Sequence, residues 1–289
     1  MPFRIAPITA TLSVVATSDP KGDAIELRGV TKRFVTSAGT AFTALRDLDL
    51  TVRAGEFVAV VGPTGCGKST TLSLISGLEP PSLGTVKVFG EPVTGVETQV
   101  GYVFQRDAVF PWKSVLDNVA IGPRFRGVSH AEADDRAREW ITRVGLAGFE
   151  RYYPHQLSGG MRKRVALAQT LITGPRILLM DEPFSALDVQ TRVLMENELL
   201  ALWSTTGASV VFVTHDLEEA IALSDRVVVI TAGPGTVKGT YEVDLPRPRN
   251  IAEIRFNPRF VQLYEEIWND LRDEVLVSYE RSKVAAVAR

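Results

Sequence analysis

Apolar residues along the chain fall into short runs with two different periods. Alternation at period two marks Ile25-Glu26-Leu27-Arg28, Leu48-Asp49-Leu50-Thr51-Val52 and Thr85-Val86-Lys87-Val88-Phe89 as strands with one wet face. Between the first two, Lys32-Arg33-Phe34-Val35 reads as turn-rich, and Pro80-Pro81-Ser82-Leu83-Gly84 as a turn. The runs Phe57–Val61, Val100–Phe104, Ile177–Met180 and Ser209–Thr214 read as buried strands, and Arg226–Ile230 and Val237–Val243 as two more around Gly233-Pro234-Gly235. Helical spacing predicts helices after Lys68, across 113–156 with Ala137, Trp140, Ile141 and Val144 on one face, from Arg162 to Thr173, and from Val189 to Trp203. Beyond the boundary at Pro246-Arg247-Pro248-Arg249-Asn250, Asn257 reads as an N-cap before Pro258. The stripe Phe260, Leu263, Tyr264, Ile267, Trp268 and Leu271 then packs on the protein's own sheet or on a second copy. Weaker periodicity from Ser278 to Arg289 predicts a disordered tail.

Composition narrows this little. The 289 residues are 45% apolar and 23% charged, and the net charge of −2 gives no global drive toward nucleic acid. A single cysteine, Cys66, excludes an intrachain disulfide framework and fits a reducing compartment, the cytosol by default. No apolar stretch approaches the ~20 residues a spanning helix needs. Pro7 and threonines interrupt the moderately apolar segment Ile5–Ala16, so residues 1–23 read as a flexible leader, with a translation start placed too far upstream as the alternative.

The chemistry centres on Gly62-Pro63-Thr64-Gly65-Cys66-Gly67-Lys68-Ser69-Thr70, between a strand and a helix. Glycines there let successive N–H groups turn inward, and the helix adds the positive end of its dipole, so the loop is a phosphate cradle. Lys68 would reach the terminal phosphates and Ser69 would hold Mg²⁺. Cys66 inside this loop is open to two readings, a thiolate favoured by Lys68 and the helix N–H groups, or a small residue that fits.

Other polar residues stand at strand ends. Gln105 follows one buried strand, where an amide can touch a terminal phosphate or a metal-bound water, and Asp181-Glu182 close another. Asp181 can hold Mg²⁺ through water while Glu182 polarises an attacking water. His215 ends a further strand, where its imidazole can donate to a γ-phosphate. Leu157-Ser158-Gly159-Gly160-Met161 opens a helix and forms a second anion site, and Ser185-Ala186-Leu187-Asp188 leads into the next helix.

Taken together, these motifs resemble the nucleotide-binding subunit of an ABC transporter over roughly residues 24–245. The resemblance implies an α/β fold: a P-loop ATPase core with a parallel sheet, an N-terminal antiparallel β subdomain and an inserted helical subdomain at about 106–173, to which the helical spacing beyond Pro246 adds a C-terminal helical extension over 246–289. It implies ATP and Mg²⁺ as ligands, and a head-to-tail dimer in which Ser158, Gly159 and Gly160 of one chain cover the nucleotide on the other chain's P-loop. It assigns Phe34 to adenine stacking, Lys68 to the β/γ-phosphates, Ser69 and Gln105 with Asp181 to Mg²⁺, Glu182 to general base, His215 to γ-phosphate sensing and Asp188 to coupling the sites. Phe34 stands where tyrosine is frequent and Met161 where glutamine is usual. Leu-Ser-Gly-Gly-Met and Met180–Asp188 are similar to the branch that imports nitrate, taurine and sulfonates.

That implies a subunit at the cytoplasmic face of the membrane, with separate permease subunits and an external substrate-binding protein. The other readings are an exporter or lipid-transport ATPase, or a soluble ABC ATPase. Phe110 and Trp112 read equally as a groove for a permease helix or as helical core.

Overall fold

Period-two alternation and continuous apolar runs sort into two sheets in the computed structural model, which describes residues 22–35, 39–106 and 108–287. In the first, β1 (Asp23–Val35) pairs antiparallel with β2 (Ala41–Arg53) on one side and β4 (Leu83–Val88) on the other, with β5 (Glu91–Pro92) at the edge. The register sets Ile25 opposite Val52 and Val88, so one face is continuously apolar. Lys32–Val35, predicted as turn, is the end of β1. Irregular register between Leu27 and Arg33 lets the polar stretch stay paired with β2. The leader expectation lies outside the described residues through residue 21, and Asp23 already opens β1.

The second sheet has the order β10-β9-β3-β8-β7-β6. Its strands β3 (Phe57–Val61), β6 (Val100–Val103), β7 (Ile177–Asp181), β8 (Ser209–Thr214) and β9 (Arg226–Ile230) run parallel, and β10 (Val237–Glu242) closes the edge antiparallel. Both faces are covered, which is why β3 carries no polar residue. Phe57, Ala59 and Val61 enter a core with Met195, Leu199, Ile221 and Ile267, whereas Val58 and Val60 face Ile25, Leu27 and Val86 of the antiparallel sheet. At roughly 1.5–3 kcal/mol for each large apolar side chain removed from water, this two-sided burial is the main term holding the layers together.

Helices α1 (Lys68–Ile75), α5 (Val189–Thr206), α6 (Leu217–Leu223), α7 (Ile251–Ile254) and α8 (Pro258–Val287) accompany the sheets. A third cluster, with Val119, Ala137, Ile141 and Val165, belongs to α2 (Val115–Phe125), α3 (His130–Arg143) and α4 (Gly159–Leu171). The predicted helical stretch 113–156 is interrupted because Gly127 takes φ +82° and the Ser129 hydroxyl then accepts the Glu132 N–H at 3.3 Å, capping α3. After α3 the chain turns and makes only a short 3₁₀ segment, Pro154–Gln156.

Phe260, Leu263, Ile267 and Leu271 of α8 are buried in the parallel sheet's own core, so the stripe packs within the chain. The predicted disordered tail is instead helix as far as Val287. Tertiary contacts account for it: Glu274 accepts the Ala232 N–H at 2.8 Å, and the Arg281 guanidinium donates to the Gly233 carbonyl. Among the described residues no helix is long and apolar enough to cross a membrane.

Candidate active site

The phosphate loop leaves β3 at Val61 and enters α1 at Lys68. Gly67 takes φ +108°, and a Cβ there would lie 2.5 Å from Leu45 Cδ2 and 3.0 Å from the Ala44 carbonyl, so β2 presses against the loop and only glycine fits. Among the described residues no side chain caps α1, which leaves its first-turn N–H groups to an incoming anion. Lys68 is buried and its ammonium donates to the carbonyls of Gly62 at 2.8 Å and Pro63 at 3.0 Å. Thr64, Gly65 and Ser69 are exposed along the loop, Thr70 is half-buried and Pro63 is buried.

Beside the loop, the Ser69 hydroxyl donates to Asp181 Oδ1 at 3.0 Å. Burial pushes the Asp181 carboxyl above the usual carboxylate range, against the opposing effect of the Ser69 bond. Glu182 takes φ +42°, a left-handed conformation that costs a non-glycine residue about 1–2 kcal/mol. The turn separates the neighbouring carboxylates: Asp181 goes to Ser69, while Glu182 Oε2 accepts from Gln105 Nε2 at 3.2 Å and lies 3.0 Å from His215 Nδ1. The Glu182 N–H still donates to the Val213 carbonyl at 2.9 Å, so the strained residue is pinned to the end of β8. Three strand ends thus deliver Gln105, Glu182 and His215 to one point.

Ser69, Asp181 and Gln105 offer only oxygen donors, a hydroxyl, a carboxylate and an amide carbonyl. That is the donor chemistry of a small hard cation that completes its shell with phosphate and water.

The second glycine motif belongs to a different body. Leu157 and Val165 are in the helical cluster, whereas Leu72 and Leu74 of α1 are in the core beneath the antiparallel sheet. The Ser158 hydroxyl caps α4 by accepting the Met161 N–H at 3.3 Å. At Gly160 a Cβ would meet Thr191 Cγ2 at 2.8 Å, so a larger residue would push α4 off the first turn of α5. Asp188 caps α5 by accepting the Thr191 N–H at 3.0 Å, and that bond holds its carboxyl below the ordinary range.

Phe34 is half-buried in β1 opposite Phe42, with the Lys32 ammonium 4.9 Å from its ring centre. Ala44 and Leu45, which a Cβ at Gly67 would meet, lie two and three residues further along β2. Phe110 is half-buried, Trp112 is 70% exposed, and their ring centres are 5.6 Å apart. This exposure favours a surface role for Trp112 over the core reading.

Cys66 departs from the thiolate expectation. It is 1% exposed, and burial pushes its thiol up despite the opposing influence of Lys68. The small-residue reading therefore stands. Sequence reasoning also missed Lys163, a buried lysine of α4 whose ammonium donates to the Gln105 carbonyl at 2.8 Å. The sequence shows only a basic residue two positions before the apolar run Val165-Ala166-Leu167-Ala168, which does not say which way its side chain turns.

The family model described as ABC transporter matches residues 45–185. An uncharacterised ABC transporter ATP-binding protein of Methanocaldococcus jannaschii is 46% identical, covering 88% of this chain and 93% of that protein. The nitrate import ATP-binding protein NrtD of Synechocystis sp. is 41% identical, covering 86% of this chain and 95% of that one. A dimeric ATP-binding cassette solved in a post-hydrolysis state with ADP and Pi superposes with a TM-score of 0.69 at 31% identity, covering 77% of this chain and all of that one.

Proposed function

Because the chain belongs to the ABC transporter family, we propose that it is the ATP-hydrolysing subunit of an importer for a small solute, an anion such as nitrate, taurine or a sulfonate. The import direction is supported by the relative named for nitrate import. The subunit works at the cytoplasmic face of a membrane as a head-to-tail pair, with separate permease subunits and an external substrate-binding protein acting through them.

The observation that carries this reading is the convergence of Gln105, Glu182 and His215 beside an uncapped phosphate-loop helix. Phosphates of ATP would occupy the first-turn N–H groups of α1, and the Lys68 ammonium would exchange its loop carbonyls for phosphate oxygens. Phe34 offers a ring for the adenine. Ser69 and Asp181, with Gln105, would hold Mg²⁺, which neutralises charge on the β- and γ-phosphates when bound. Glu182 then takes the proton of the attacking water. The carboxylate is oriented before substrate arrives, because Gln105 and His215 fix the same oxygen and the turn at φ +42° fixes the backbone.

Ser158, Gly159 and Gly160 lie on the helical body, so each chain supplies a phosphate end that its own loop does not use. When the γ-phosphate is bridged by both chains it favours the closed pair, and hydrolysis removes that preference. Asp188, as the cap of α5 beside Gly160, joins the two halves.

Replacing Glu182 with glutamine tests the reading. ATP binding should persist while turnover falls roughly 10²–10⁴-fold, the usual size of a general-base contribution, and a long-lived ATP-bound dimer should accumulate on gel filtration. Ordinary hydrolysis by this variant would remove Glu182 from the mechanism.

A further inference from the structure

Lys163 sits on the second turn of α4, and only 4% of it is exposed. A lysine seldom enters a protein interior unless its ammonium has partners there. Here it donates to the main-chain carbonyls of Gln105 at 2.8 Å and Phe104 at 3.5 Å, where the chain leaves β6. The side-chain amide of that same Gln105 donates to Glu182 at 3.2 Å. Five residues before Lys163 on the same helix is Ser158, about 7–8 Å away along the axis. One rigid element thus carries a phosphate-facing cap at its end and, a turn and a half later, a grip on the backbone of a residue touching the catalytic carboxylate.

We propose that Lys163 is a positioning residue linking the two half-sites of one chain. Displacement of α4 by a nucleotide docked at Ser158 is transmitted through the Lys163 ammonium to the Gln105 backbone, and so to the Gln105–Glu182 contact. This rests on the head-to-tail arrangement proposed above, in which Ser158 meets the partner's nucleotide. A side chain with several N–H donors suits this role because it can follow two carbonyls as they shift, whereas an apolar residue of similar length would fill the space without holding them. Lys163 does not touch ATP in this scheme. Its loss should therefore alter turnover and cooperativity rather than affinity.

The test uses the full-length chain and compares Lys163→Met and Lys163→Gln with the wild type. Methionine keeps most of the volume and removes the donor, and glutamine keeps a shorter donor. Nucleotide affinity is measured by fluorescent ATP displacement, and steady-state hydrolysis gives kcat, KM and the Hill coefficient. Lys163→Met should bind ATP within about twofold of wild type, lose roughly tenfold in kcat and shift its Hill coefficient toward one, with Lys163→Gln between the two. A folded Lys163→Met with wild-type kcat and cooperativity overturns the proposal, as does a parallel loss of ATP affinity and kcat. Should the methionine variant fail to fold, Lys163→Gln decides alone: reduced kcat at unchanged affinity supports the link, and full kcat rejects it. ATP-driven dimerisation of Glu182→Gln with Lys163 intact is measured alongside. Its absence would sink the head-to-tail reading itself, whereas its presence with an unaffected Lys163→Met sinks only the link.

Discussion

Glu196 makes the fold sensitive to pH from the inside. It lies on the buried face of α5, none of it exposed, with no hydrogen-bond partner for either carboxylate oxygen among the described residues. Burial is the main cause that pushes its carboxyl up from 4.5 to about 8, Glu219 adds to the rise, as does Asp216 more weakly, and Arg255 and Arg192 oppose it. Glu219, itself 2% exposed and also raised, accepts the Thr214 hydroxyl at 2.6 Å, next to His215. In the folded protein Glu196 is therefore mostly protonated at pH 7, while in the unfolded chain it is ionised. Its contribution is complete below about pH 4.5 and is lost as the pH rises through about 8, since across that window the unfolded state holds fewer protons. At about 1.4 kcal/mol for each tenfold in proton affinity the limit is roughly 5 kcal/mol, of which about 3–4 kcal/mol falls between pH 5 and about 8.5. Glu196→Gln removes the titration and keeps the shape. The amide's own burial cost does not depend on pH, so the comparison lies in the slope. Urea unfolding followed by tryptophan fluorescence from pH 5 to about 8.5 should show wild-type stability falling faster than that of Glu196→Gln by that amount. Parallel profiles would refute the reasoning and place a counter-charge or water beside the carboxyl.

Two further outcomes follow from the site's surroundings. Cys66, the sole thiol in the chain and 1% exposed, should react with maleimide far more slowly in the native protein than in urea, and labelling at the rate of a free thiol would show an open, reactive loop. Replacing Phe110 and Trp112 together by alanine should leave ATP hydrolysis by the isolated subunit unchanged and reduce transport by the assembled complex. Unchanged transport by the folded variant would reject a groove for a permease helix at these rings.

The legible parts of this protein are those in which a local rule and the tertiary outcome coincide. Val58-Ala59-Val60-Val61 must be covered on both faces, and the glycines that follow admit the positive φ angles a phosphate loop needs, so a buried strand ending in such a loop could be read from neighbouring residues alone. Gln105, Glu182 and His215 could be placed because each stands at the end of such a strand, and parallel strands bring their ends to one lip. The misread segments are those whose state depends on partners far along the chain. Lys32–Val35 looks like a turn until the pairing of Arg33 with Thr43 and Phe34 with Phe42 satisfies its backbone. The end of α8 has weak periodicity of its own, and Arg281 ties it to Gly233, 48 residues earlier. Cys66 stayed open between two readings because Lys68 is visible in the sequence and the burial that outweighs it is not.

Lys163 and Glu196 share a different cause. Polar residues on amphipathic helices default to solvent, and nothing adjacent in the sequence says that one ammonium turns inward to a strand end or that one carboxyl is buried with no hydrogen-bond partner among the described residues. Both are on helices that open at a side-chain cap, α4 behind Ser158 and α5 behind Asp188. In the proposed head-to-tail pair the inward polar groups would lie along the two elements that join one half-site to the other. Apolar residues there would serve packing better, and a buried ion or acid adds little to stability by itself. Their placement is accounted for if these helices must move against the sheet and return to a single register. An ammonium that holds two carbonyls carries them along when the helix shifts, where interchangeable methyl contacts would let it slip past them.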